Sequence, residues 1–430
     1  MENAVVLGIG CFIVALIIMF IGVPIAIGLG MGAVIFFYIL QRSPSVVPDA
    51  AFNAVNNFVL TAIPMYILMG EILVHTGISD RLYQGAIKWL AWLPGGLLHA
   101  NIGACALFAA ICGSSPATAA TIGTVAIPAL EKRGYETKIT LGSLAAGGTL
   151  GILIPPSINL IVYGALTGAS VARLFAGGVF PGILLSGLFI FYIFTRVMFE
   201  PMLAPKEQFS LRALPSSFLD IWPLIVIMVI VLGGIFGGVF TPTEAAAVGA
   251  VAALVIGFGF RTVTWKVLKD SFREAVTITS MVLFIVIGAS MIATFSAMVQ
   301  MPSVLGKAVV SSGLSEWVIL ACIYLLYIFL GLFIDGLSAM IMTLPAILPI
   351  ITALGFDVIW FGVILVILTE IGLLTPPVAV NVFVIQAISK KPLSTVYRGS
   401  TPFFIIMIIA LILVTVFPEI ITWLAKTITV

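Results

Sequence analysis

Two stretches of this chain could hold an ion with main chain alone. Gly151-Ile152-Leu153-Ile154-Pro155-Pro156-Ser157 and Gly372-Leu373-Leu374-Thr375-Pro376-Pro377-Val378 each set a glycine four residues ahead of two adjacent prolines, inside an apolar run. Paired prolines lack two amide donors and drive the residue before them out of helix. The backbone must unwind there, and carbonyls so freed can bind a cation while a restarted helix offers its N-terminus to an anion. A simple packing kink is the plainer reading of the same residues. Gly113-Ser114-Ser115-Pro116-Ala117-Thr118 offers three hydroxyls, a glycine and a helix start, able to wrap an ion or to present amides to a carboxylate. Ile334-Asp335-Gly336-Leu337-Ser338 adds a carboxylate. An ionisable residue within an apolar run is costly and marks a functional candidate, although Asp335 could also cap the helix that follows.

Other chemistry is thinly represented. His75 and His99 are the only histidines, which does not point to zinc or haem. Cys11, Cys105, Cys112 and Cys322 sit in apolar runs without a CxxC pair and are expected to pack as small buried residues. No phosphate-binding G-x-x-x-x-G-K-[ST] loop occurs. An intramembrane aspartyl protease needs two carboxylates sharing a proton, and Asp335 has no second aspartate in an apolar run; a serine enzyme needs a base near Ser114 or Ser115. A channel would need a repeated filter, and none is seen. Thr241-Pro242-Thr243-Glu244 reads as a capping box, Glu71 as a paired scaffold residue and Glu370 as ambiguous. Asn159 and Asn381 follow the proline pairs and could reach a site or bond a neighbouring helix.

The elements that must position these residues are transmembrane helices. Of 430 residues 62% are apolar and 8% charged, against about 25% charged in ordinary globular domains. With mean hydropathy +1.28, lipid must cover most of the surface. Apolar runs of the length that crosses a bilayer lie near 4–22, 24–40, 58–76, 138–168 and 178–198, and again near 220–239, 243–260, 275–299, 358–388 and 401–418. The stretches 98–131 and 317–352 are each broken midway by the polar tips above, and read as hairpins that enter and return; two short spans each are the alternative. Segments 79–93 and 302–315 precede the hairpins as interfacial arms or as loops, the first carrying Asp80, Arg81, Lys88, Trp89 and Trp92. With five crossings per half and the N-terminus outside, fifteen of the nineteen Lys and Arg fall in the cytoplasm. Arg42, Arg173, Lys307 and Lys426 remain outside, a bias that matches the positive-inside rule. Both termini are then expected in the periplasm, and the N-terminus does not read as a cleavable signal peptide.

The two halves match each other. Shifting the sequence by 221 aligns Pro128 with Pro349, Gly134 with Gly355, Gly151 with Gly372, Pro155-Pro156 with Pro376-Pro377, Gly178 with Gly399 and Pro181 with Pro402. Leu144/Leu365 and Leu153/Leu374 match in the same frame, and a frame of 218 pairs Pro24 with Pro242 and Gly70 with Gly288. Gly and Pro set backbone geometry and not merely apolarity. Five crossings per repeat make the repeat inverted, the architecture of many secondary transporters. The expected fold is therefore an all-α polytopic membrane protein of two inverted halves. Residues 1–199 comprise a scaffold (1–78), arm (79–93), hairpin and broken helix (97–170) and last span (178–198). A cytoplasmic linker, 200–219, leads to 220–430 with scaffold (220–300), arm (302–315), hairpin and broken helix (317–390) and last span (401–418).

The motifs Gly113–Thr121 (GSSPATAAT), Gly147–Ser157 (GGTLGILIPPS), Phe240–Val248 (FTPTEAAAV) and Gly372–Asn381 (GLLTPPVAVN) resemble those of the large membrane subunit of tripartite ATP-independent periplasmic (TRAP) transporters. The resemblance covers essentially the whole chain. It implies an elevator, in which hairpins and broken helices move as a transport domain against a scaffold in the bacterial inner membrane. It further implies sodium-coupled uptake of an organic acid, with no organic cofactor. The partners implied are a periplasmic binding protein and a small four-helix membrane subunit, here a separate chain. Carried onto this sequence, one sodium site would involve Gly113, Ser114 and Ser115 with Gly151, Ile152 and Pro155. The other would involve Asp335 and Gly336 with Gly372 and Thr375, most ligands being carbonyls. Candidate substrate contacts are Ser115, Pro116, Thr118, Ser157, Asn159 and Asn381. Family substrates include C4-dicarboxylates and sialic acid, and overall similarity leans toward sialic acid.

Overall fold

A computed structural model describes residues 2–41, 45–205, 207 and 214–428. Arg42, Lys206 and Arg212, used above to orient the chain, and much of the linker lie outside the described residues. Helices and turns account for the rest, with no strand among the described residues, and eight helices are long and apolar enough to cross a membrane. Each half runs through one element order. Helices Glu2–Phe20, Ile25–Ile39 and Ala62–His75 lead to an arm, Ile78–Leu90. A hairpin follows (Leu97–Cys112, Ser115–Lys132), then an interrupted helix (Thr137–Leu153, Ile158–Thr167) and a long helix, Val171–Phe199. The second half repeats this with a helix from Leu214 to Phe236 that contains one π-turn, then Pro242–Gly259, Trp265–Met298 and an arm, Met301–Ser311. Its hairpin is Glu316–Gly331 and Gly336–Ala353, its interrupted helix Val358–Gly372 and Val380–Ser389, and its last long helix Leu393–Val416.

Local chemistry explains where these elements start. Glu136 caps the first interrupted helix by accepting from the Ile139 amide at 2.8 Å, and Asp357 caps the second through the Trp360 amide at the same distance. The two caps are 221 residues apart, in the repeat frame. Thr241 and Glu244 form the expected reciprocal capping box. The hairpins and interrupted helices pack on one another, and Thr137–Leu153 and Val358–Gly372 are buried along nearly their whole lengths. Thr137–Leu153 also runs against Leu393–Val416 so closely that a Cβ at Gly142 would overlap the Gly399 carbonyl oxygen. The other helices form the surround: Trp265–Met298 packs against Ile25–Ile39 and Ala62–His75.

Several boundaries differ from the hydropathy reading. The run expected at 275–299 starts a helix at Trp265, because Thr264 caps it and its first turns, though charged, lie beyond the apolar core of the helix. Runs at 178–198 and 401–418 begin earlier, at Val171, where Ser170 caps the helix, and at Leu393, directly after Pro392. The short helices Val46–Val55 and Glu419–Thr427 were not expected, being too brief to cross; the second packs its buried face on Val171–Phe199. Both arms are helices and not loops. The first is tied across the halves, Lys88 Nζ to Asp220 at 2.7 Å and Trp89 Nε1 donating to Ser217 at 2.6 Å. Cys11, Cys105 and Cys112 are buried as expected, but Cys322, on Glu316–Gly331, is exposed.

Candidate functional site

The first hairpin turns at Gly113, whose φ of 62° lies in the left-handed region that a side chain disfavours. Ser114 is extended, and Ser115 and Pro116 open the returning helix. This tip sits on the first break. A Cβ on Gly151 would lie 2.6 Å from the Ser114 carbonyl oxygen and 2.7 Å from Thr118 Oγ1, so only glycine permits the approach. Gly113 in turn faces the Pro156 carbonyl. Thr118 Oγ1 donates to the Ser114 carbonyl at 2.8 Å. Carbonyl and hydroxyl oxygens thus gather where helix Thr137–Leu153 stops, after which the Pro155-Pro156 peptide, which is cis, leads to Ser157. Ser157 caps the restarted helix through the Leu160 amide.

The second hairpin makes the equivalent contact with the second break. Asp335 accepts from the Ser338 amide at 3.0 Å and from Ser338 Oγ at 2.5 Å, so it caps Gly336–Ala353 as the local reading allowed. Gly336 packs on Thr369, and Gly331 meets the backbone of Gly372 at the end of Val358–Gly372. Thr375 donates back to the Ile371 carbonyl at 2.7 Å. Pro376-Pro377 is also cis, and the Asn381 amide closes the loop onto the Leu373 carbonyl at 3.2 Å.

Between the tips lies a cavity of about 170 Å³. From the expected residues Gly113, Ser114, Pro116, Ile152, Asn159, Asp335 and Gly336 line it. Ser115, Thr118, Ser157 and Asn381 are buried behind the wall, as are Gly151, Pro155 and Gly372; Thr375, part-buried, also stands outside the lining. Asn381 Nδ2 donates to the Ala145 carbonyl at 3.2 Å, joining the restarted second helix to the first interrupted one. Sequence reasoning left Glu370 undecided and passed over Thr369, yet both line the cavity. Glu370 is 1% exposed; its Oε2 accepts from Ser115 Oγ at 2.5 Å, and Oε1 has no hydrogen-bond partner. Its position in an apolar run, two residues from a break, was the available signal. Beside Ile158, Leu337, Leu373 and Val380, the wall is completed by Ile278, Met281, Val282 and Ile285 of Trp265–Met298. These last four fall on one helix face, but their pattern is that of any lipid-facing stripe, so nothing in it foretold a cavity.

Two carboxylates, Asp335 and Glu370, therefore face a small space whose lining contains no Lys, Arg or His. Burying an unpaired carboxylate is expensive unless a proton or a cation accompanies it. Carbonyl, hydroxyl and carboxylate oxygens are the donor set that hard cations take.

The profile of the family described as the tripartite ATP-independent periplasmic transporter, DctM component, matches residues 12–420. The chain is 36% identical to the C4-dicarboxylate TRAP transporter large permease protein DctM of Vibrio cholerae, covering 96% of each protein. It is 38% identical to the DctM of Pseudomonas aeruginosa over 89% of this chain and 90% of that one. The sialic acid TRAP transporter large permease protein SiaM of Vibrio cholerae is 32% identical over 94% of each. In fold it is similar to the YdaH transporter of Alcanivorax borkumensis, with TM-score 0.61 over 87% of each chain at 14% identity. A multi-pass helical protein matched by this profile over nearly its whole length belongs to the DctM family of TRAP transporter large permeases, transport proteins and not enzymes.

Proposed function

We propose that this chain imports an organic acid anion, of the C4-dicarboxylate or sialic acid class, across the bacterial inner membrane, driven by a sodium gradient. The observation that carries this reading is the cavity between the tips, with two carboxylates and no basic side chain. An anion meeting that surface is repelled until cations neutralise it, so cargo and cation must bind together. The oxygens of Ser114, Thr118 and Pro156 at one tip fit a cation without net charge of their own. Asp335 and the unpartnered Glu370 Oε1 supply charge at the other.

The mechanism that fits is an elevator. Hairpins and interrupted helices share a buried core, whereas the cavity wall from Trp265–Met298 is four apolar side chains that make no hydrogen bond across it. A body with a self-contained core can slide along such a face at little cost in polar contacts. Two halves of the same element order, inverted relative to each other, would give outward-open and inward-open forms of comparable energy. In this reading the hairpins are re-entrant, both termini are periplasmic, a small four-helix subunit flanks the scaffold, and a periplasmic binding protein delivers cargo. Liposomes containing the chain with those two partners should accumulate labelled acid only under an inward sodium gradient. Uptake indifferent to sodium, or equally fast without the binding protein, refutes the proposal.

A further inference from the structure

Glu71, His75 and Glu274 form a second polar cluster, outside the cavity. Counting histidines argued against zinc, but carboxylates serve as zinc ligands too. Glu71 and His75 stand one turn apart on Ala62–His75, and Glu274 comes from the adjoining helix Trp265–Met298. His75 Nε2 lies 3.7 Å from Glu71 Oε2 and 3.5 Å from Glu274 Oε2, and one ligand atom from each residue falls within 4.8 Å of the other two. Nε2 is buried and makes no hydrogen bond. Among the described residues it is the only Lys, Arg or His nitrogen within ion-pair distance of either carboxylate. Glu71 is 7% exposed, so a second carboxylate beside it raises a like-charge conflict that something positive must resolve.

A proton shared between the Glu71 and Glu274 carboxyl groups is the competing arrangement, and it leaves His75 Nε2 without a partner; a proton on His75 serves poorly. A ring N–H has one direction to donate in, and both separations exceed the ordinary hydrogen-bond length of about 2.7–3.2 Å. A tetrahedral zinc ion with bonds of about 2.0–2.1 Å holds its ligand atoms roughly 3.3 Å apart, within a few tenths of an ångström of both distances. We propose that Glu71, His75 and Glu274 bind one divalent transition-metal ion, with the nitrogen and oxygen donors favouring Zn²⁺. Buried Glu71 fixes one ligand, while Glu274, whose side chain is 52% exposed, leaves the ion reachable from solution with a coordination position for water.

The location gives the ion a consequence. Gly70, next to Glu71, packs against the backbone of Cys112 at the approach to the first hairpin tip. Ile278, one turn beyond Glu274, lines the cavity. The metal ties two surround helices together beside the tip and stiffens the wall on which the hairpin rests. This holds whatever the cargo or coupling ion.

The test uses the full chain, purified and stripped with a chelator, titrated with Zn²⁺ by calorimetry while melting is followed in parallel. One Zn²⁺ per chain is expected, with a raised melting temperature. His75→Ala and Glu274→Gln should each weaken binding by about tenfold or more and melt like the metal-free parent when chelator is present. Should His75→Ala fold poorly, Glu274→Gln decides alone, since its carboxylate is half exposed. Absence of saturable binding, or unchanged affinity in the folded variants, overturns the assignment.

Discussion

Gly151→Ala tests the first tip directly. The new methyl would stand 2.6 Å from the Ser114 carbonyl oxygen and 2.7 Å from Thr118 Oγ1, where ordinary contact begins at 3.4 Å. One neighbour is main chain and the other is held by its bond to the same carbonyl, so the tip must retreat by about 0.8 Å, taken from 3.4 and 2.6 Å. Overpacking of this kind costs about 1–3 kcal/mol. If the tip is drawn in only when a cation bridges it to the break, that cost falls on the bound state. It then appears as a rise of roughly 5- to 150-fold in the sodium concentration for half-maximal uptake. Gly147→Ala is the matched control: same helix, one turn away, its methyl 2.8 Å from Cys105 Sγ and remote from the tip. It should lower the melting temperature and leave sodium dependence unchanged. Sodium-dependence curves in liposomes, paired with melting curves, separate the two. Equal sodium shifts in both variants, or none in a folded Gly151→Ala, refute the reasoning.

Further expectations concern the cavity and its frame. Ser115→Ala leaves both oxygens of buried Glu370 without a donor, a cost of about 1–3 kcal/mol that melting should register along with weaker uptake. Glu370→Gln keeps an acceptor for Ser115 but removes the charge; uptake should fall by about tenfold or more while the chain stays folded, and normal uptake would remove Glu370 from the site. Val282→Trp fills much of the 170 Å³ cavity and should abolish uptake while sodium still raises the melting temperature. Thr241→Ala breaks the capping box, should cost about 0.5–2 kcal/mol of stability, and should leave sodium dependence unaltered.

What was legible in advance was what a few adjacent residues impose. Paired prolines withhold amides wherever they occur, so the interruptions after Leu153 and Gly372 follow from local chemistry. The same holds for the turn at Gly113, the Thr241 box and the capping role of Asp335. Hydropathy located most helices but misplaced their ends, because a charged first turn such as that after Thr264 remains helical beyond the apolar core. Tertiary structure decided which polar residues share a space. Ser115 meets Glu370 across 255 positions, and His75 meets Glu274 across the packing of two helices. Ser157 and Asn381, plausible as cargo contacts by position, turn inward to cap and to bridge. A residue's type and its near neighbours set its hydrogen-bonding capacity and backbone freedom, which are short-range. Which side chain from the other half meets that capacity depends on how the helices pack, and an apolar stripe such as Ile278 to Ile285 looks the same whether it faces lipid or a cavity.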